Sequence, residues 1–139
     1  MFKRISIAAL CVSASLMTLA QNQAPASYKL ASGVKIQTMT EGTGARPKPT
    51  DSVTVHYEGT LPGGQVFDSS RQRGQPATFK LPQVIPCWTI GLTQMAVGGT
   101  MLLTCPANTA YGDQGVPGVI PPNTVLKFEV TLILIQSPE

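Results

Sequence analysis

Three aromatic residues that could shape a binding site, Tyr57, Trp88 and Tyr111, each stand within two residues of a glycine or proline. Their segments read Val55-His56-Tyr57-Glu58-Gly59, Val84-Ile85-Pro86-Cys87-Trp88 and Ala110-Tyr111-Gly112. Phe67, Phe128, Val119 and Ile120 complete an apolar set in which Asp68 is the one clear acid. Aromatic side chains held at turn ends tend to line a concave site, where a few polar groups fix orientation. Such a site works by desolvation and shape, with Asp68 and the Tyr111 phenol as its polar instruments.

Other chemistries lack their parts. His56 is the sole histidine and no acids cluster around it, so no metal site is expected. Strand alternation turns His56 away from Tyr57 and makes it structural. Ser69 and Ser70 have no plausible general base to activate them as nucleophiles. Gly42-Thr43-Gly44 lacks the lysine and helix context of a phosphate cradle. No basic patch with interleaved aromatics is present, which argues against nucleic acid as a partner.

The elements that must position these residues are mostly short strands. The chain has 139 residues, enough for one domain, with 42% hydrophobic residues, 13 glycines and 12 prolines. That glycine and proline content, without a period, suits strands joined by turns. Val34, Ile36 and Thr38 alternate with Lys35 and Gln37, and Val53, Val55 and Tyr57 share one face of the segment from Ser52 to Glu58. Leu61-Pro62-Gly63-Gly64 turns the chain back into Gln65 to Asp68, and Phe79 and Leu81 mark a further strand. A helix starts near Pro86, whose missing N–H suits a first helical position. Its apolar stripe is Trp88, Leu92 and Met95, and Gly98-Gly99 ends it. Thr100 to Cys105 follows as a strand. The last strand sets Leu126, Phe128, Val130, Leu132 and Leu134 against a wet face of Lys127, Glu129 and Thr131. One short helix among five or six antiparallel strands predicts an α+β domain with the sheet curled around the helix.

Residues 1–20 read as an export leader: Lys3 and Arg4 precede an apolar stretch from Ile5 to Ala20. Cleavage is expected after Ala20, with Ala26 as a second site. The stretch is shorter than the roughly 20 apolar residues of a membrane span, so the mature chain is not expected to insert stably in a membrane. Cys11 follows Leu10 too early to be a lipidated cysteine. Without Lys3 and Arg4, eight basic and seven acidic side chains remain, a net charge of +1. Residues 21–28 form a short polar arm, and residues 29–139 form the domain.

From about Lys29 to Gln136 the chain resembles the FKBP-type peptidyl-prolyl cis-trans isomerases. The phrases that carry the resemblance are Val55-His56-Tyr57-Glu58-Gly59, Phe67-Asp68-Ser69-Ser70, Val84-Ile85-Pro86, Trp88, Ala110-Tyr111-Gly112 and Ile120-Pro121-Pro122. It implies a half-barrel wrapped around the helix, and an isomerase of X-Pro bonds that needs no cofactor. It further implies a proline pocket with Trp88 as floor and Tyr57, Phe67, Val84, Ile85 and Phe128 as walls, although core packing is the alternative for Val84 and Phe128. Asp68 and Tyr111 are the implied catalytic residues, and the Ile85 backbone N–H binds a substrate carbonyl. Arg73 supports Asp68 and Tyr57, while Val119 and Ile120 form a flexible rim. Ala77 and Val116 depart from the pattern; Ala77 stands where many relatives carry an aromatic, which puts affinity for a macrolide ligand in doubt.

Cys87 and Cys105 also depart, since the family usually carries glycine and an apolar residue there. Two changes to the same residue type, an even count after leader removal and an oxidising compartment together favour a bridge; two separate buried thiols are the alternative. The expected protein is a monomer in the periplasm, or else secreted, acting on proline-containing segments of exported clients. A non-catalytic chaperone using the same groove is the rival reading.

Overall fold

The computed structural model describes residues 27–138, so the leader assigned to residues 1–20 and most of the arm lie outside the described residues. Where apolar and polar side chains alternate, strands form, and they pair antiparallel throughout. They are β1 (Ser27–Lys29), β2 (Lys35–Thr40), β3 (Ser52–Thr60), β4 (Val66–Ser69), β5 (Ala77–Lys80), β6 (Thr100–Cys105) and β7 (Leu126–Gln136). The sheet runs β1-β2-β6-β7-β3-β4, and β5 also pairs with β3. Seven strands exceed the expected five or six, because Ser27–Lys29, taken in part as a loose arm, pairs with β2 through Tyr28 and Ile36. Two short helices, α1 (Ser70–Arg73) and α2 (Pro86–Leu92), and two single 3-10 turns at Leu81–Gln83 and Ala107–Thr109 complete the described fold.

Val53, Val55 and Tyr57 from β3, Leu103 from β6 and Phe128, Val130 and Leu132 from β7 turn inward and bury one face of the sheet. The expected alternation fails near the end of β7 for a definable reason. Thr54 pairs with Leu134 but Val55 pairs with Leu132, so Ile133 is an extra residue in the ladder. A bulge of this kind reverses which residues face in. Leu134, expected on the core face, is therefore 48% exposed, and Ile135 packs on the core in its place.

The helix α2 starts at Pro86 as predicted but stops at Leu92, and Met95 is buried in the turn beyond it. The Thr93 hydroxyl donates to the carbonyls of Thr89 (2.9 Å) and Ile90 (3.0 Å), while Gln94 and Met95 bond only three residues back. Local bonding of this sort competes with further helical turns. The helix lies against β6: a Cβ on Gly91 would fall 2.6 Å from Leu103 Cδ2, so a larger residue there would force the buried Leu103 side chain to shift. A disulfide joins Cys87 in the first turn of α2 to Cys105 at the end of β6, with Cα atoms 5.7 Å apart. The helix α2 is thus held to the sheet by both packing and a covalent link.

Candidate functional site

The aromatic residues singled out from spacing converge. Tyr57, Phe67, Asp68, Val84, Ile85, Trp88, Tyr111 and Phe128 all line one cavity of about 300 Å³, together with Phe79 and Gln83. Trp88 lies at its centre, with Phe79, Tyr57 and Phe128 packed edge-to-face against it at centroid distances of 5.1, 5.2 and 5.5 Å. Aromatic pairs in this arrangement gain from the opposed charges of ring face and ring edge. Phe67 meets Phe128 the same way at 5.6 Å. That wall depends on Gly59, because a Cβ there would lie 2.6 Å from the Phe67 ring and 2.9 Å from Phe128. The Trp88 indole Nε1–H is buried without a hydrogen-bond acceptor among the described residues.

Asp68 is tied down at both oxygens. The Tyr57 hydroxyl donates to Oδ2 (2.7 Å), and Arg73 Nη1 donates to Oδ1 (2.6 Å). Arg73 Nη2 also donates to the Tyr57 hydroxyl oxygen at 2.8 Å, and its guanidinium lies 5.7 Å from the centre of the Tyr57 ring. Arg73, Asp68 and Tyr57 thus form a closed three-membered network. Arg73 ends α1, a single turn capped by the Ser69 side chain at one end and by Gly74 at φ 76° at the other. Partial burial opposes ionisation of Asp68, but the bonds from Tyr57 and Arg73 outweigh it and hold the carboxyl below its ordinary value. Burial, then the bond to Asp68, pushes the Tyr57 phenol up. Burial and the nearby Asp68 charge also raise the Tyr111 phenol, which keeps its proton at neutral pH and can donate it in a hydrogen bond.

A folded value below the unfolded one means that Asp68 contributes stability above pH ~4, which is lost as pH falls through the folded value. Both partners are substantially exposed, so the contribution is small. Asp68→Asn is therefore expected to lower the unfolding midpoint modestly at pH 7. Denaturant titrations from pH 7 down to 3 should show the gap between the two proteins closing at the acid end; a gap that is constant with pH would contradict the ion pair.

Val119 and Ile120 lie elsewhere. They line a separate depression with Leu61, Gln65, Gln114 and Pro117; Val119 is exposed, whereas Ile120 is 5% exposed and belongs to the core. The Ile120 N–H bonds to Val116 O, which folds the loop onto itself. The Ile85 backbone N–H, by contrast, has no protein acceptor among the described residues, and Ile85 is one of the residues lining the cavity. His56 faces away from the cavity, with Nδ1 3.0 Å from Ser70 Oγ. Sequence spacing did not single out Phe79 as a site residue. Its position two residues after Ala77 on an alternating strand was the available signal, since Ala77 itself does not line the cavity. Among the described residues no group of three or more histidine, cysteine or acidic side chains is placed to hold a metal.

An antiparallel sheet thus combines with a tryptophan-bearing helix to line one aromatic cavity, with a single carboxylate paired at its wall. A family model described as FKBP-type peptidyl-prolyl cis-trans isomerase matches residues 43–133, and the chain belongs to that family. It is 52% identical over 107 residues to the FKBP-type peptidyl-prolyl cis-trans isomerase FkpA of Aeromonas hydrophila, covering 77% of this chain and 40% of that one. It is 45% identical over 125 residues to the peptidyl-prolyl cis-trans isomerase Mip of Coxiella burnetii, covering 90% of this chain and 54% of that one. A solved peptidyl-prolyl cis-trans isomerase of Pseudomonas syringae superposes with a TM-score of 0.76 at 39% identity, over 81% of this chain and 83% of the other. The chain spans about half the length of the first curated relatives it matches.

Proposed function

We propose that this protein accelerates cis-trans isomerisation of X-Pro bonds in exported polypeptides. The single observation that carries the reading is the cavity itself: an aromatic and aliphatic lining that includes Trp88, and one carboxylate paired with its neighbours. The reaction breaks no bond to carbon. Its barrier of about 18–20 kcal/mol comes from amide resonance, and any selective stabilisation of the twisted amide lowers it. An apolar cavity grips the proline ring and removes water from a carbonyl whose dipole falls as the amide twists. Tyr111 and Ile85 line the cavity, and in this reading the Tyr111 hydroxyl and the Ile85 N–H donate to substrate carbonyls. Asp68 presents its charge at the same wall, where it favours the twisted amide and fixes Tyr57.

Export is supported by the leader pattern of residues 1–20 and fits the disulfide, a bond found mainly in oxidising compartments; the periplasm is the proposed location. No helix among the described residues is long and apolar enough to cross a membrane. A macrolide is a second ligand class proposed for the same cavity.

An isomerisation assay on the purified protein tests the reading, using a short peptide with an apolar residue before proline. Wild type should shorten the uncatalysed relaxation, which takes tens of seconds, and Asp68→Ala should lose about tenfold in kcat/KM, some 1.4 kcal/mol. Trp88 is the only tryptophan, so its fluorescence reports occupancy independently. A folded protein that binds the peptide but gives no acceleration would leave the cavity as the binding groove of a chaperone.

A further inference from the structure

The β3 edge that carries the catalytic network has a gap. β5 pairs with β3 from Ser52 to Val55, and β4 pairs with it from Glu58 to Thr60. His56 and Tyr57, lying between, have no strand partner on that side. In a sheet, unpaired backbone groups that are also buried are costly, and Tyr57 is 4% exposed. The gap is filled by one side chain. Ser70 is 0% exposed, and its Oγ accepts from Tyr57 N–H at 2.7 Å and donates to Tyr57 O at 3.3 Å. A third contact reaches His56 Nδ1 at 3.0 Å.

A serine hydroxyl has one proton and two acceptor positions. All three contacts are satisfied together when Oγ–H goes to Tyr57 O, while Tyr57 N–H and the N–H of the Nδ1 tautomer of His56 both donate to Oγ. The hydroxyl therefore stands in for the donor and acceptor that a neighbouring strand would present. Ser70 is also the first residue of α1, whose last residue is Arg73. A four-residue helix has no independent stability, so its position is set by such anchors. One buried hydroxyl thus fixes both the backbone that carries the Tyr57 phenol and the turn that delivers the Arg73 guanidinium.

We propose that Ser70 is a positioning residue for isomerisation, holding Tyr57 and Arg73 in register with Asp68 by replacing the missing strand partner of β3. The inference rests on the isomerase reading for its kinetic consequence, but its structural consequence is independent of it. The neighbouring Ser69 makes a useful contrast. It caps the same turn through Gln72 N–H (3.2 Å) and donates to Glu58 (3.4 Å), without touching Tyr57.

The test uses the full mature protein with Ser70→Ala, and Ser69→Ala as the control for a merely loosened turn. Two readouts are taken: kcat/KM for the proline peptide, and the titration midpoint of the Asp68 side-chain carboxyl followed by carbon NMR. The groups that face that carboxyl are Tyr57, Arg73, the Ser69 backbone N–H and, at longer range, Tyr111. Ser70→Ala is expected to lower kcat/KM about tenfold and to move the Asp68 midpoint upward, whereas Ser69→Ala should leave the midpoint in place. A Ser70→Ala protein with wild-type titration and wild-type rate overturns the proposal, as does an equal shift in both variants. If Ser70→Ala does not fold, Ser70→Cys fills nearly the same volume with a weaker hydrogen-bonding group and is judged by the same two readouts. If the wild type shows no isomerisation, the enzyme reading fails alone, and the NMR midpoint still decides what Ser70 does.

Discussion

Trp88→Ala is expected to cost about 3–5 kcal/mol of folding stability, the usual range for removing a buried large aromatic, and to abolish most isomerase activity. The side chain is 4% exposed and is met edge-on by Tyr57, Phe79 and Phe128. Its loss would merge the cavity with the space it vacates and leave three rings without their common partner. The stability loss should fall within that range. Urea unfolding followed by circular dichroism measures it, and the peptide assay, run where the variant is still folded, should show kcat/KM reduced tenfold or more. A variant of near wild-type stability and rate would mean that Trp88 is neither floor nor core.

The second large effect concerns the disulfide. Cys87→Ala with Cys105→Ala should destabilise the protein by about 3 kcal/mol, since the bridge closes a sequence separation of 18 residues and restricts the unfolded chain accordingly. For a domain of this size that corresponds to a fall in Tm on the order of 10 °C. Both sulfurs are fully buried, so the wild-type bridge should resist mild reductant until the protein unfolds. Activity at low temperature should change much less than stability, because Gly91 against Leu103 still seats α2 on β6. Calorimetry of the oxidised protein and of the double variant checks the first expectation. A free-thiol titration of the unreduced, denatured wild type should find neither Cys87 nor Cys105 reactive.

Much of this was legible in the chain because strand alternation and turn residues are local signals. Val53, Val55 and Tyr57 announced β3, and Pro86 announced the start of α2. The convergence of Tyr57, Trp88 and Tyr111 could be read because aromatics beside turn residues have few reasons to be there other than to line a cavity, whereas Phe67 and Phe128, which sit in strands, came in through the family resemblance. What escaped was set by register and competition. The bulge at Ile133, which exposes Leu134, arises only when β7 meets β3. The early end of α2 depends on which carbonyls the Thr93 hydroxyl takes. Phe79 was read as a strand residue because nothing local says that its ring reaches Trp88. Val119 and Ile120 were expected at the rim, yet the loop folds back through Val116 and lines a different depression.

The strand order has a consequence for how the protein is made. β7, the last strand in sequence, pairs with β6 on one side and with nearly the whole of β3 on the other. Until residues 126–136 are synthesised, β3 lacks its longest partner and the two halves of the sheet have nothing to join them. Pairings as remote as Gly59 with Phe128 must wait for the intervening chain, and such nonlocal contacts form slowly. The sheet therefore stays in two unjoined parts until residues 126–136 are available to pair with both β3 and β6.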